Sequence, residues 1–202
     1  GIPEEERRSA KNFILVMDTS GSMAGEKIRN LKDGAEFILN QLRPDDQFNL
    51  ISFSDRVNLF EESSVPASQK NIEQAIEFVN RLEALGGTNI HEALLRALRL
   101  PRPATLPTYI VFITDGLPTV GEQNPEEILK AVAREQALER RARLFVFGVG
   151  LDVNVAFLDR LARENGGSSE YVRSGAELEQ RMSDLYRKLQ APVVTDARLT
   201  IS

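Results

Sequence analysis

Three segments of this chain are apolar at every position, and they constrain its fold more than any other feature. They are five or six residues long and rich in valine, isoleucine and phenylalanine: Phe13–Met17, Tyr109–Ile113 and Leu144–Val149. A strand with one solvated face alternates apolar and polar residues, whereas a strand covered on both faces does not. The three segments therefore predict interior strands of a sheet that has helices on both sides.

Amphipathic helical patterns lie between these predicted strands. The first has apolar residues on one face at 28, 31, 35, 38 and 42, and others follow near 72–82, 90–98, 124–138, 158–162 and 174–189. Asn124-Pro125 marks one helix start, and Ser174-Gly175-Ala176-Glu177 is a capping box at another. Strands that alternate with helices imply right-handed crossovers, so we expect an α/β, doubly wound, three-layer α/β/α sandwich with a mostly parallel sheet.

Two further runs, Gln47–Phe53 and Val57–Phe60, alternate apolar and polar residues and are joined by a short turn. This pattern predicts a hairpin at the edge of the sheet. The predicted domain covers residues 11–191. The polar residues 1–10 are interpreted as a linker, and residues 192–202 as an extended segment leading out of the domain.

The composition excludes several kinds of site. The chain has 202 residues, no cysteine and one histidine, which removes disulfides, thiolate metal sites and histidine-rich zinc sites. With 25 basic and 30 acidic residues the net charge is −5, which argues against nucleic-acid binding. The one basic cluster, Arg140-Arg141-Ala142-Arg143, is interpreted as the end of a helix, where cations complement the dipole. No segment is long and apolar enough to insert directly into a membrane.

Polar residues follow the predicted strands where an open α/β sheet binds ligands, at the carboxyl ends of its strands. Asp18-Thr19-Ser20-Gly21-Ser22 follows the first strand, and Thr114-Asp115-Gly116 follows another. Gly86-Gly87-Thr88-Asn89 precedes the third helix. These loops would supply five oxygen donors: Asp18, Ser20, Ser22, Thr88 and Asp115. Carboxylate and hydroxyl oxygens without soft ligands are what Mg²⁺ prefers, so the loops predict a divalent-cation site.

Each donor also has an alternative interpretation. Ser20 or Ser22 could cap the first helix, and Thr88 or Asn89 the third. Asp115 could be an ordinary turn residue in Asp-Gly. Met23 could line the rim of the site or pack in the core, and His91 is interpreted as a solvated helix residue.

The chain resembles the von Willebrand factor type A domains over residues 11–190. The resemblance is carried by FILVMDTSGSMAGEKI, LGGTNIHEAL and YIVFITDGLPTVGE. The metal-ion-dependent adhesion site (MIDAS) of that family uses an Asp-x-Ser-x-Ser loop, a threonine and a distant aspartate, which match the five donors without departure. LRPDDQFNLISFS, TDGLPTVGE and APVVTDARLTI resemble the inter-α-trypsin-inhibitor heavy-chain-like branch, bacterial homologues included.

This resemblance implies a Rossmann-like sheet of six strands in the order 3-2-1-4-5-6, with one antiparallel edge strand. It implies Mg²⁺, with Mn²⁺ or Ca²⁺ as alternatives, anchored by Asp18, Ser20 and Ser22 and tuned directly or through water by Thr88 and Asp115. In relatives the cation accepts a carboxylate from a protein partner, and ligand binding displaces the C-terminal helix, here Ser174–Gln190. Whether this chain switches is left open.

The expected function is therefore a metal-dependent adhesion or interaction module rather than an enzyme. The resemblance also implies an extracellular or cell-envelope location, with the cytoplasm as the alternative, and contacts with other domains of a larger parent protein. A metal-dependent hydrolase or phosphotransferase is the main rival. It is disfavoured because the lone histidine lies on a helix and no lysine lies in the three loops. A purely structural assembly module is the second rival.

Overall fold

The computed structural model of the chain describes residues 10–138, 142–150, 152–173 and 175–190. Within these ranges the strands are β1 (Asn12–Asp18), β2 (Gln47–Phe53), β3 (Val57–Leu59), β4 (Val65–Pro66), β5 (Thr108–Thr114), β6 (Arg143–Val149) and β7 (Ser169–Val172). The helices are α1 (Glu26–Gln41), α2 (Gln69–Asn80), α3 (Ile90–Arg99), α4 (Pro125–Leu138), α5 (Val155–Glu164) and α6 (Gly175–Gln190). A 3-10 turn, Gly21–Met23, lies between β1 and α1. The predicted linker before Ala10, the segment 192–202, Ser174 and the arginines at 140–141 lie outside the described residues.

The sheet confirms the doubly wound α/β fold. Its strand order is β3-β2-β1-β5-β6-β7, with β1, β2, β5, β6 and β7 parallel and β3 antiparallel at the edge. The predicted strand number was wrong, because β4 pairs antiparallel with β2 and makes seven strands. A two-residue strand that contains a proline has no periodicity from which it could be predicted. Without β4 the order is the expected one.

Strand β2 lies inside the sheet: β1 pairs with one side of it, and β3 and β4 pair with different parts of its other side and form the edge. The polar residues of β2, Asn49 and Ser52, are buried rather than solvated. The Asn49 side-chain amide donates hydrogen bonds to the backbone oxygens of Glu61 and Ser63, at 2.7 and 2.9 Å. The alternation that suggested a solvated face therefore reflects buried polar groups with partners in the neighbouring loop.

Helices cover both faces of the sheet and divide the core in two. One half packs residues such as Leu31, Val79 and Met182 from α1, α2 and α6 against the sheet. The other half packs Leu94 and Val132, with further residues from α3, α4 and α5. All seven residues of β1 are buried between the two halves, as the unbroken apolar segment Phe13–Met17 within it predicts. Asp18, the last residue of β1, is therefore held by a strand that is buried on both faces.

The predicted start of α4 is confirmed. Pro125 is its first residue, and the Asn124 side-chain oxygen accepts a hydrogen bond from the backbone N–H of Glu126 at 3.0 Å. This arrangement satisfies a donor that the first turn of a helix leaves free. None of the described helices could cross a membrane, because none is both long and apolar enough.

Candidate metal centre

Asp18 ends β1 at the carboxyl edge of the sheet, and its side chain is buried. One carboxylate oxygen, Oδ1, accepts the backbone N–H of Ser20 at 2.8 Å, and Oδ2 accepts the hydroxyl of Thr114 at 2.6 Å. Burial raises the pKa of Asp18 despite these hydrogen bonds. Among the described residues, no basic side chain forms an ion pair with it. Within the described part of the chain, the Asp18 carboxylate is therefore a buried group without a basic side chain in direct contact.

The two serines connect the first loop to Asp115. The hydroxyl oxygens of Ser20 and Ser22 lie 3.1 Å apart, and the Ser22 hydroxyl donates to Asp115 Oδ1 at 2.7 Å. Ser22 is exposed, whereas the Asp115 side chain is fully buried. Four of the five predicted donors therefore form one hydrogen-bonded cluster that opens to solvent at Ser22.

The glycine-rich loop before α3 is attached to the same edge through its backbone. The N–H of Leu85 donates to the oxygen of Thr19 at 2.8 Å, and the N–H of Gly21 donates to the oxygen of Gly86 at 2.9 Å. These bonds bring Thr88 into the neighbourhood of the first loop. Its side chain is nearly buried and does not hydrogen-bond directly to the other four predicted donors. Of the five residues, Thr88 is thus the one least firmly joined to the cluster.

The close approach of these loops depends on Gly86, whose φ of 85° is strained for other residues. A Cβ atom there would lie 2.4 Å from Asp55 Oδ2. The other oxygen of that carboxylate, Oδ1, accepts the N–H of Gly87 at 2.8 Å. Asp55, in the turn between β2 and β3, therefore holds the glycine loop in place.

The capping alternatives for the serines and Thr88 are not supported. The N-cap of α1 is Gly25, and Ser20, which precedes the 3-10 turn, makes no side-chain cap hydrogen bond. Helix α3 is capped by Asn89, whose side chain accepts the N–H of Glu92 at 3.2 Å. Met23 is fully buried and packs in the core rather than at the rim. The serine hydroxyls are therefore free of a capping role.

Lys27, in the first turn of α1, belongs to the cluster and was missed from the sequence. Its Nζ lies 2.6 Å from Asp115 Oδ2, and its side chain is 36% exposed. No lysine lies in the three loops themselves, as the sequence shows, but this lysine reaches Asp115 from the following helix. One signal was present in the sequence: a cation in the first turn opposes the helix dipole and needs an acidic partner.

The donors present fit a hard divalent cation. Two carboxylates and two hydroxyls converge, while the described residues contain no group of three or more histidine, cysteine, aspartate or glutamate side chains placed to hold a metal. Such a set balances the charge of Mg²⁺ and leaves the rest of its shell to hydroxyls and water, as that ion prefers. The uncompensated charge of buried Asp18 also favours a cation nearby.

Comparison with known proteins agrees with this architecture. The sequence profile of the von Willebrand factor type A domain matches residues 11–171. Human inter-alpha-trypsin inhibitor heavy chain H4 is 39% identical over 96% of this chain, which spans about a fifth of that relative's length (21%).

Two solved structures share the fold. A von Willebrand factor type A protein from Catenulispora acidiphila gives a TM-score of 0.78 at 20% identity, covering 90% of this chain and 43% of that one. Proximal thread matrix protein 1 from the mussel byssus, solved with a zinc-occupied MIDAS motif, gives 0.70 at 18% identity, covering 90% and 46%. With its profile match and its fold, the chain belongs to the von Willebrand factor type A domain family.

Proposed function

We propose that this domain binds a protein partner through a divalent cation held at the carboxyl edge of the sheet. The observation that carries the proposal is the convergence of Asp18, Ser20, Ser22 and Asp115 from two separate loops into one hydrogen-bonded cluster that reaches solvent. We infer that Asp18 and the two serines anchor the cation and that Asp115 and Thr88 tune it.

The five proposed donor residues would contribute oxygens of two kinds, charged and neutral. Asp18 and Asp115 supply negative charge from buried positions, while the hydroxyls of Ser20, Ser22 and Thr88 supply neutral oxygens. A divalent cation bound by so few charges is an electrophilic centre that attracts an acidic oxygen. Because Ser22 is exposed, the open side of the centre faces outward, where a carboxylate of a partner could reach it.

Two exposed leucines support a protein partner rather than a small anion. Leu85 precedes the glycine loop and is 74% exposed, and Leu117 follows Asp115 by two residues and is 49% exposed. Large apolar side chains beside a polar centre are typical of protein-binding surfaces. The preferred partner segment would therefore carry an acidic residue with apolar neighbours.

Mg²⁺ is the cation that we propose, with Mn²⁺ and Ca²⁺ as alternatives. The zinc-occupied MIDAS motif of the mussel byssus protein supports a divalent site in this fold. That protein belongs to a thread matrix, which also supports an extracellular or cell-envelope location for this chain. Relatives such as heavy chain H4 are several times longer, so contacts with other domains of a parent protein are part of the proposal.

Calorimetric titration with Mg²⁺, Mn²⁺ and Ca²⁺ tests the metal centre. We expect the wild-type chain to bind Mg²⁺ and Asp18→Ala to lose this binding, because the buried anchoring charge is gone. Asp33→Ala is a matched control, since Asp33 lies on α1 outside the cluster. Unchanged Mg²⁺ affinity in Asp18→Ala would remove the basis of the proposal.

Peptide display on the immobilised domain tests the partner chemistry. Peptides captured in Mg²⁺ and eluted with a chelator should contain an acidic residue, and replacing it by its amide should abolish binding. Captured peptides that keep their affinity in chelator, or after the amide replacement, would argue against coordination by a carboxylate.

We also propose that the domain is not an enzyme. Its single histidine, His91, lies on α3 and is not part of the cluster. Turnover of a phosphoester by the wild-type chain that disappears in Asp18→Ala would contradict this proposal and favour metal-dependent hydrolysis.

A further inference from the structure

We propose that Lys27 is an internal counter-charge of the metal centre, which holds Asp115 in place and competes with a divalent cation for that carboxylate. This inference rests on the function proposed above and goes beyond it, because it assigns a role to a residue outside the five donors. It follows from contacts within the chain.

Both oxygens of Asp115 already have partners. Ser22 donates to Oδ1 at 2.7 Å, and Lys27 Nζ lies 2.6 Å from Oδ2. The Asp115 side chain is fully buried, so the ammonium group is its principal charge compensation within the described residues. A buried carboxylate without such compensation is costly, which explains why a lysine is placed against the dipole of α1.

The backbone that follows β6 passes close to the Lys27 side chain. Gly150, which follows β6, has a φ of 94°, and its N–H donates to the oxygen of Val172 at 2.8 Å. A Cβ atom at this position would lie 3.5 Å from Lys27 Nζ and in contact with it. The Lys27 ammonium group therefore lies near the backbone at Gly150 as well as against Asp115.

Including Lys27 changes the net charge of the cluster from that of the five proposed donors alone. Asp18 and Asp115 contribute −2, and Lys27 returns one positive charge, so the net charge is −1. A dication that shares Asp115 with an ammonium group is repelled by it. Removing one unit charge about 6 Å from a dication changes its affinity by about tenfold even at a water-like dielectric.

Replacement of Lys27 by neutral residues tests the proposal in the full chain. Lys27→Gln keeps a hydrogen-bond donor for Asp115, and Lys27→Met removes it, so one variant is available if the other fails to fold. Mg²⁺ dissociation constants are measured by calorimetry, and melting temperatures are measured in chelator and in saturating Mg²⁺. Two variants serve as controls. Lys27→Arg keeps the charge, and Lys32→Met removes a lysine of the same helix that bonds to the backbone oxygen of Asn80 at 2.9 Å.

We expect Lys27→Gln and Lys27→Met to bind Mg²⁺ about tenfold more tightly than wild type. In chelator both should melt at a lower temperature, because Asp115 loses its counter-charge, and saturating Mg²⁺ should shrink or reverse that difference. Lys27→Arg should stay close to wild type in both measurements, and Lys32→Met should leave the Mg²⁺ affinity unchanged.

Three results would overturn the proposal. If the neutral variants bind Mg²⁺ no more tightly than wild type while Asp18→Ala still loses binding, Lys27 is not a competitor and the proposed function stands. An equal loss of melting temperature in chelator and in Mg²⁺ would assign Lys27 a structural ion pair only. If wild type and all variants fail to bind Mg²⁺, the proposed function fails together with this inference.

Discussion

Gly86 has a larger effect on the candidate site than its size suggests, because the loop that carries Thr88 lies against Asp55 at a point where a Cβ atom would clash. Its φ of 85° and the proximity of Asp55 both exclude a Cβ atom. The backbone bond from Gly21 to the Gly86 oxygen then ties this loop to the one that carries the serines. At the scale of single residues, the geometry of the centre thus depends on a residue that supplies no oxygen side chain.

Gly86→Ala should lower the free energy of unfolding by about 1–3 kcal/mol, because the strained φ and the clash with Asp55 must both be relieved. It should also weaken Mg²⁺ binding. Gly116→Ala is the control: nothing lies within 4 Å of a Cβ atom there, so its stability should stay within about 0.5 kcal/mol of wild type. Urea unfolding measures the stability of the two variants, and calorimetric titration measures their Mg²⁺ affinity. Equal stabilities for the two variants would contradict this account.

At the scale of elements, the short edge strand β7 is attached to α5 by side chains. The Tyr171 hydroxyl donates to Asp159 Oδ1 at 2.6 Å, and its oxygen also lies 3.1 Å from the backbone oxygen of Val155. The Ser169 hydroxyl donates to the same Asp159 oxygen at 2.5 Å. Burial, with the bond to Asp159, raises the pKa of Tyr171 to about 12. The neutral phenol is therefore the form that joins the two elements.

Because the pKa of Tyr171 is raised on folding, its stabilising effect is complete below pH 10, its ordinary value, and is lost as the pH rises to about 12. Tyr171→Phe removes the hydroxyl and should lower the free energy of unfolding by about 1 kcal/mol at pH 8. Between pH 10 and pH 12 the difference from wild type should shrink. Urea unfolding at pH 8 and pH 11.5 checks this, and a difference that does not depend on pH would contradict it.

At the scale of the whole molecule, metal binding and folding should be linked. A ligand that binds only the folded chain stabilises it by about 1.4 kcal/mol for each tenfold increase in concentration above the dissociation constant. We therefore expect the melting temperature of wild type to rise with the logarithm of the Mg²⁺ concentration and that of Asp18→Ala to stay constant. Differential scanning calorimetry measures both, and parallel increases would indicate a nonspecific ion effect.

The sequence predicted the interior of the fold well because burial on both faces leaves an unambiguous pattern, as in β1 and β5. It was less informative at the edges. Strand β4 is only two residues long. Asn49 in β2 has the sequence pattern of a solvated residue, although it is buried and bonded to the next loop. The places of Asp18 and Asp115 at the carboxyl edge of the sheet were predictable because each lies at the end of a buried strand. Lys27 was harder to predict, because a cation in the first turn of a helix does not show that its acidic partner lies 88 positions further along the chain.

Contacts between residues far apart in the chain have a consequence for folding during translation. The bond between Thr114 and Asp18 joins residues 96 positions apart, and the bond between Ser22 and Asp115 joins residues 93 apart. While the chain emerges from the ribosome, the first part has its serine loop but lacks β5 and the second carboxylate. On the proposed function, a cation that uses both carboxylates would therefore bind only after β5 has been translated.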